Sequence, residues 1–106
     1  MPRVSVVIPC WNAAGFIERT LDTVAAQTYR DFEVVAVDDG SADDTHAVVE
    51  RALAARGLAG RSIRQVNKKI AGARNTGIRA AAGELVSFLD HDDLWFPEKL
   101  ARVTAE

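Results

Sequence analysis

The stretch FEVVAVDDG (32–40) constrains the fold more than any other part of the chain. Its valines run on without polar alternation, so a strand made from it is covered on both faces. Such strands belong to parallel sheets held between layers of crossover helices. RVSVVIPC (3–10) has the same character. RSIRQVN (61–67) is weaker, carries charges at alternate positions, and reads as a strand at or near a sheet edge. ELVSFLD (84–90) supplies a fourth.

Helical patterns lie between these runs. AAGFIERTLDTVAAQ (13–27) spaces Phe16, Ile17, Leu21, Val24 and Ala25 three and four residues apart, an amphipathic face. A helix over 42–56 is predicted to bury Val48, Val49, Ala52 and Leu53, with Ser41 as its cap, Asp44 at its third position and Gly57 as its stop. KKIAG reads as a loop before an alanine-rich helix over 73–83, whose glycines permit close packing. PEKLARVTAE forms a last helix with Pro97 in its first turn. The alternation predicts an α/β domain: a Rossmann-like, doubly wound, mostly parallel sheet of about four strands with helices on both faces.

At 106 residues the chain suits one domain. A net charge of −2, from 15 acidic and 13 basic side chains, provides no basic field for nucleic acid. No apolar run approaches the ~20 residues of a membrane span, and no signal peptide is evident, so a cytoplasmic setting is expected. The single cysteine, Cys10, has no internal disulfide partner and reads as a buried thiol.

Ligands of open α/β sheets bind beyond the carboxyl ends of the strands. Four segments fall there: PCWN (9–12), DDGS (38–41), NKKIAGARN (67–75) and DHDD (90–93). Two of them carry paired acids. Carboxylate oxygens suit Mg2+ or Mn2+, and Mg2+ takes one or two of them alongside water and phosphate oxygens. In extended geometry Asp90 and Asp92 would point the same way, Asp93 the other, with His91 a solvent-exposed spacer. The plain alternative is a helix-entry turn. Asp38 and Asp39 could accept from ribose hydroxyls or a base imide, or could serve as turn caps. Trp11 could stack on a base or lid the core. Arg74 is better placed than Lys68 or Lys69 to hold phosphate. No GxxxxGK[ST] and no GxGxxG follows the first strand. DHDDL ends the fourth strand rather than the first, which argues against an aspartyl-phosphate phosphatase. The third strand ends in Asn67-Lys68, which argues against a phosphoreceiver domain.

VSVVIPCWNAAGFIERTLDTVAAQTYRDFEVVAVDDGSADDT and AGARNTGIRAAAGELVSFLDHDDLWFPEKL together resemble the N-terminal half of family 2 inverting glycosyltransferases. The resemblance implies a partial A-type nucleotide-sugar-binding fold and a UDP-sugar as the expected donor, with a divalent metal, Mn2+ or Mg2+, on its diphosphate. It matches Asp92 to the metal ligand and Asp90 to the first acid of the D-x-D motif, facing ribose or metal. Asp39, with Asp38 beside it, matches the base-contacting acid. Pro9 and Trp11 match the strand-end pair along base and ribose, where relatives more often have tyrosine than tryptophan. Arg74 and Asn75 match the segment lining the nucleotide pocket. Lys68 and Lys69 depart from the family, which often has glycines there. On this resemblance residues 1–106 are the donor-binding half. The acceptor site and the carboxylate general base belong to a second half that these residues lack, so the chain alone is expected to be inactive. Apolar surface left uncovered would favour a homodimer, and membrane association would need a further region or partner. The alternative function is a non-catalytic module that binds nucleotide sugar or self-associates.

Overall fold

A computed structural model describes residues 2–105. The expected helix end at Glu106, like Met1 of the expected 1–106 unit, lies outside the described residues. The elements run β1 (Val4–Cys10), α1 (Ile17–Ala25), β2 (Phe32–Asp39), α2 (Thr45–Ala55), β3 (Gly60–Gln65), α3 (Lys69–Ala80), β4 (Leu85–Phe88) and α4 (Lys99–Ala105). All strands are parallel, in the order β3-β2-β1-β4. The sequence-based reading of an α/β parallel sheet therefore holds, and β3 does occupy an edge.

The two valine-rich runs form the centre of the sheet, every residue of each buried. Alternate side chains of a strand face opposite ways. Val4, Val6, Ile8 and Cys10 join Val34 and Ala36 in one core with Ile17, Leu21 and Val24 of α1, Val49 and Leu53 of α2, and Leu100 of α4. The other face receives α3. A Cβ on Gly77 would stand 2.3 Å from Val7 Cγ1, so only glycine lets the helix lie this close. Among the described residues no helix is long and apolar enough to cross a membrane.

Three local expectations are corrected. Helix α3 begins at Lys69, so KKIAG is mostly helix rather than loop; Gly72 sits within it because a Cβ there would meet Lys68 Cβ at 2.4 Å. Helix α2 begins at Thr45, beyond reach of a Ser41 cap, and Asp44 precedes its first residue without capping it. Ser41 instead accepts from Asn12 N at 2.9 Å. Strand β4 stops at Phe88, so the acidic segment is not extended: Asp93 N–H bonds Asp90 C=O at 3.0 Å and closes a turn.

Candidate functional site

Parallel pairing brings the carboxyl ends of β1 and β2 side by side, with Cys10 opposite Asp38. The strand alternation then parts the two acids of DDGS. Asp38 points to the α1–α2 side, where it is almost wholly buried. Its Oδ1 accepts from Ser41 N at 3.1 Å, while Oδ2 lies 3.8 Å from Arg64 Nε and accepts no hydrogen bond from the described residues. Burial, reinforced by the charge of Asp38, pushes the Cys10 thiol up to about 12. The thiol is therefore a neutral packing group rather than a nucleophile at ordinary pH.

Asp39 faces α3 and lies on the wall of a cleft of about 310 Å3. Its Oδ1 accepts from Gln65 Nε2 and from Lys68 N, both at 2.8 Å, and its carbonyl accepts from Asn67 Nδ2 at 3.0 Å. Gly40 makes this approach possible: its φ is +77°, and a Cβ would come within 2.8 Å of Asn67 N. The cleft is closed on the β1 side by Pro9 and Trp11, and on the α3 side by Lys69, Ile70 and Ala73. Trp11 is half exposed on this wall, which leaves indole surface available to a flat partner.

The loops behind the cleft are tied together by side chains that the sequence reading did not single out. Asn12, at φ +49°, accepts from Ala42 N at 2.8 Å. Thr45 Oγ1 accepts from Ala13 N at 2.8 Å and donates to Asp43. That hydroxyl is the main reason why the exposed Asp43 carboxyl is held below its usual range. Asn and Thr after a strand are ordinary turn residues, and only the tertiary pairing of the two loops gives them these partners.

Arg74 and Asp90 are brought together, with Arg74 Nη2 3.5 Å from Asp90 Oδ1. The guanidinium also lies over the Phe88 ring at 5.4 Å, and its buried Nε has no partner among the described residues. Asn75 is exposed and is not among the residues that line the cleft. His91 is half-buried rather than a solvent-exposed spacer. Its Nδ1 pairs with Pro9 O at 3.0 Å, its ring lies 5.4 Å from that of Phe16, and it lines the cleft. Asp92, exposed, faces a separate shallow groove with Phe16, Arg19 and Leu94. The acidic turn and the residues after it are tied to α1 and to Gln27, just past its end. Thr20 Oγ1 donates to His91 O at 2.8 Å, Thr23 Oγ1 accepts from Trp95 N at 3.2 Å, and Gln27 Nε2 donates to Phe96 O at 2.8 Å.

A divalent cation was tested against this arrangement. Among the described residues no three His, Cys, Asp or Glu side chains gather to hold a metal ion. A fully protein-built cage is thus absent. Asp90 and Asp92 are exposed carboxylates on one turn, the donor type that suits a cation taking its remaining oxygens from a diphosphate and water, although Asp92 faces its own groove.

Known proteins share this fold. An uncharacterized glycosyltransferase of Nostoc, alr2836, is 42% identical over 101 residues, covering 95% of this chain and 31% of its own length. The amylovoran biosynthesis glycosyltransferase AmsB of Erwinia amylovora is 42% identical over 100 residues, covering 91% of this chain and 33% of its own. Among solved structures, the mannosyltransferase PcManGT of Pyrobaculum calidifontis, in complex with GDP-Man and Mn2+, superposes with a TM-score of 0.90 at 39% identity. That match covers 97% of this chain and 31% of PcManGT. S. aureus TarS 1-349 in complex with UDP superposes at 0.89 with 33% identity, over 97% of this chain and 31% of TarS. The chain thus spans about a third of the length of these relatives. Residues 5–106 match the family described as Glycosyl transferase family 2, and the chain belongs to that family.

Proposed function

We propose that this chain is the donor-binding part of a glycosyltransferase that moves a sugar from a nucleoside-diphosphate sugar, preferably a UDP-sugar, to an acceptor with inversion. The observation that carries the reading is the cleft itself, where the Asp39 carboxylate and the half-exposed indole of Trp11 meet beyond the ends of two parallel strands. Family membership and the UDP, UDP-GlcNAc and GDP-Man complexes of solved relatives support a nucleotide in that cleft.

In this reading Trp11 stacks on the base or ribose, Asp39 accepts from the base, and Pro9 shapes the wall between them. Arg74 donates to the diphosphate. Asp92 and Asp90 would hold Mn2+ or Mg2+, which when bound offsets the charge of the departing diphosphate. Transfer breaks the bond between the anomeric carbon and the diphosphate oxygen as the acceptor hydroxyl attacks from the opposite face. The hydroxyl proton passes to a carboxylate base, which we assign, with the acceptor site, to chain beyond these residues. We place the protein in the cytoplasm, in keeping with a lone, reduced and buried thiol.

Titration of the purified chain with UDP, first with Mn2+ and then with chelator, tests this directly. Saturable binding that weakens on chelation is expected. Absence of UDP binding in both conditions would overturn it.

A further inference from the structure

The cleft carries a cation that the proposed reading has not used. Lys69 is the only lysine or arginine on its lining. The residue holds φ +64°, in the left-handed region that L side chains adopt rarely and glycine adopts freely. A side chain kept there against that preference points to a task for the side chain. Lys68, its neighbour, is directed elsewhere, because Gly72 leaves room for the Lys68 stem to lie back along the helix. The backbone fixes the position of Lys69 as well. Lys68 N–H donates to Asp39 Oδ1 at 2.8 Å, and Lys69 N–H donates to Asn67 Oδ1 at 3.2 Å. The start of α3, which bears the ammonium, is therefore tied directly to the acid of the cleft. Lys69 forms no ion pair among the described residues, and Asp39 Oδ2 accepts no hydrogen bond from them.

Resting on the proposed nucleotide cleft, we infer that Lys69 is a base-reading residue: its ammonium donates to a ring carbonyl while Asp39 accepts from the adjacent imide N–H. An ammonium can only donate and a carboxylate can only accept. Lining one cleft, they complement an edge that presents an acceptor next to a donor. Uracil and guanine present that edge as a keto oxygen beside a ring N–H. Cytosine and adenine present the reverse, an amino group beside a bare ring nitrogen. With either of those bases the ammonium would face a donor and the carboxylate an acceptor. A site built to hydrogen-bond one pattern rejects the other because its polar groups are left unpaired.

The test is calorimetric titration of the 106-residue chain with UDP, GDP, CDP and ADP in the presence of Mn2+, repeated on Lys69→Gly and Lys68→Ala. The glycine variant suits the left-handed backbone, so its thermal midpoint should not fall, which separates a lost contact from a lost fold. UDP and GDP should bind the parent chain at least about tenfold more tightly than CDP and ADP. Lys69→Gly should weaken UDP about tenfold without weakening CDP, narrowing the ratio, whereas Lys68→Ala should preserve it. An unchanged UDP-to-CDP ratio in Lys69→Gly overturns the assignment while the nucleotide cleft stands. An equal loss for all four nucleotides overturns it too, since that is the mark of a phosphate contact. Failure of the parent chain to bind any of the four overturns the cleft reading itself, and this inference with it.

Discussion

The two acid pairs end parallel strands on the same side of the sheet, yet they are built for different work. Asp38 and Asp39 are buried, and between them they accept from Ser41 N, Gln65 Nε2 and Lys68 N. Asp90 and Asp92 are exposed, on a turn that begins two residues after its strand has stopped. The only side-chain partner of Asp90 among the described residues is Arg74, at 3.5 Å across a half-exposed gap. Buried carboxylates must be satisfied by the protein and so become part of its framework. Exposed ones, here separated by one residue rather than adjacent, need no such satisfaction because water supplies it. The difference teaches that an acidic pair in a sequence is not one kind of signal. Where the strand continues to the second acid, the pair is divided between two faces and wired in. Where the strand stops short, the pair stays available.

Several variants would break or sharpen that contrast. The largest effect is expected from Asp39→Ala, which strands the Gln65 and Lys68 donors. We expect a loss of about 2–3 kcal/mol in urea unfolding together with loss of UDP binding. A stability change near zero would mean that the first pair is not framework. Next comes alkaline pH. An unfolded chain loses the thiol proton of Cys10 near the ordinary value of 9.0, whereas the folded chain keeps it to about 12. Stability should therefore fall as pH rises through that window, as read by thermal midpoints, and iodoacetamide should label Cys10 slowly in the native state. Thr20→Val removes the donor to His91 O and should cost about 1 kcal/mol, while loosening the acidic turn from α1. Asp90→Asn and Asp92→Asn should each change stability by less than about 0.5 kcal/mol. Losses comparable to that of Asp39→Ala would erase the distinction between the two pairs.

Most of the fold was legible because the valine runs of β1 and β2 allow little else. Unbroken β-branched stretches demand cover on both faces, and the intervening amphipathic patterns supply it. The start of α3 was not legible. Two lysines and a glycine read as loop chemistry, whereas in the structure the Lys68 stem packs over Gly72 and the helix begins at Lys69. The site was legible as a set of segments, since the strand-end rule gathers 9–12, 38–41, 67–75 and 90–93 on one edge. Its internal division was not. Alternation at Asp38–Asp39 depends on how far β2 runs, and the separation of Asp90 from Asp92 depends on the turn closed by Asp93 N–H. His91 was misjudged because its anchor, the carbonyl of Pro9, lies 82 residues away in sequence.

We propose that Asp90 and Asp92 hold a cation for a nucleotide seated against Asp39 and Trp11. Titrating UDP into the parent chain and into Asp92→Asn, each with Mn2+ and with chelator, addresses it in one comparison. The parent chain should bind more tightly with Mn2+. Asp92→Asn should lose that gain while keeping the weaker, metal-free affinity that the cleft around Asp39 and Trp11 provides. A full Mn2+-dependent gain in Asp92→Asn would contradict the account.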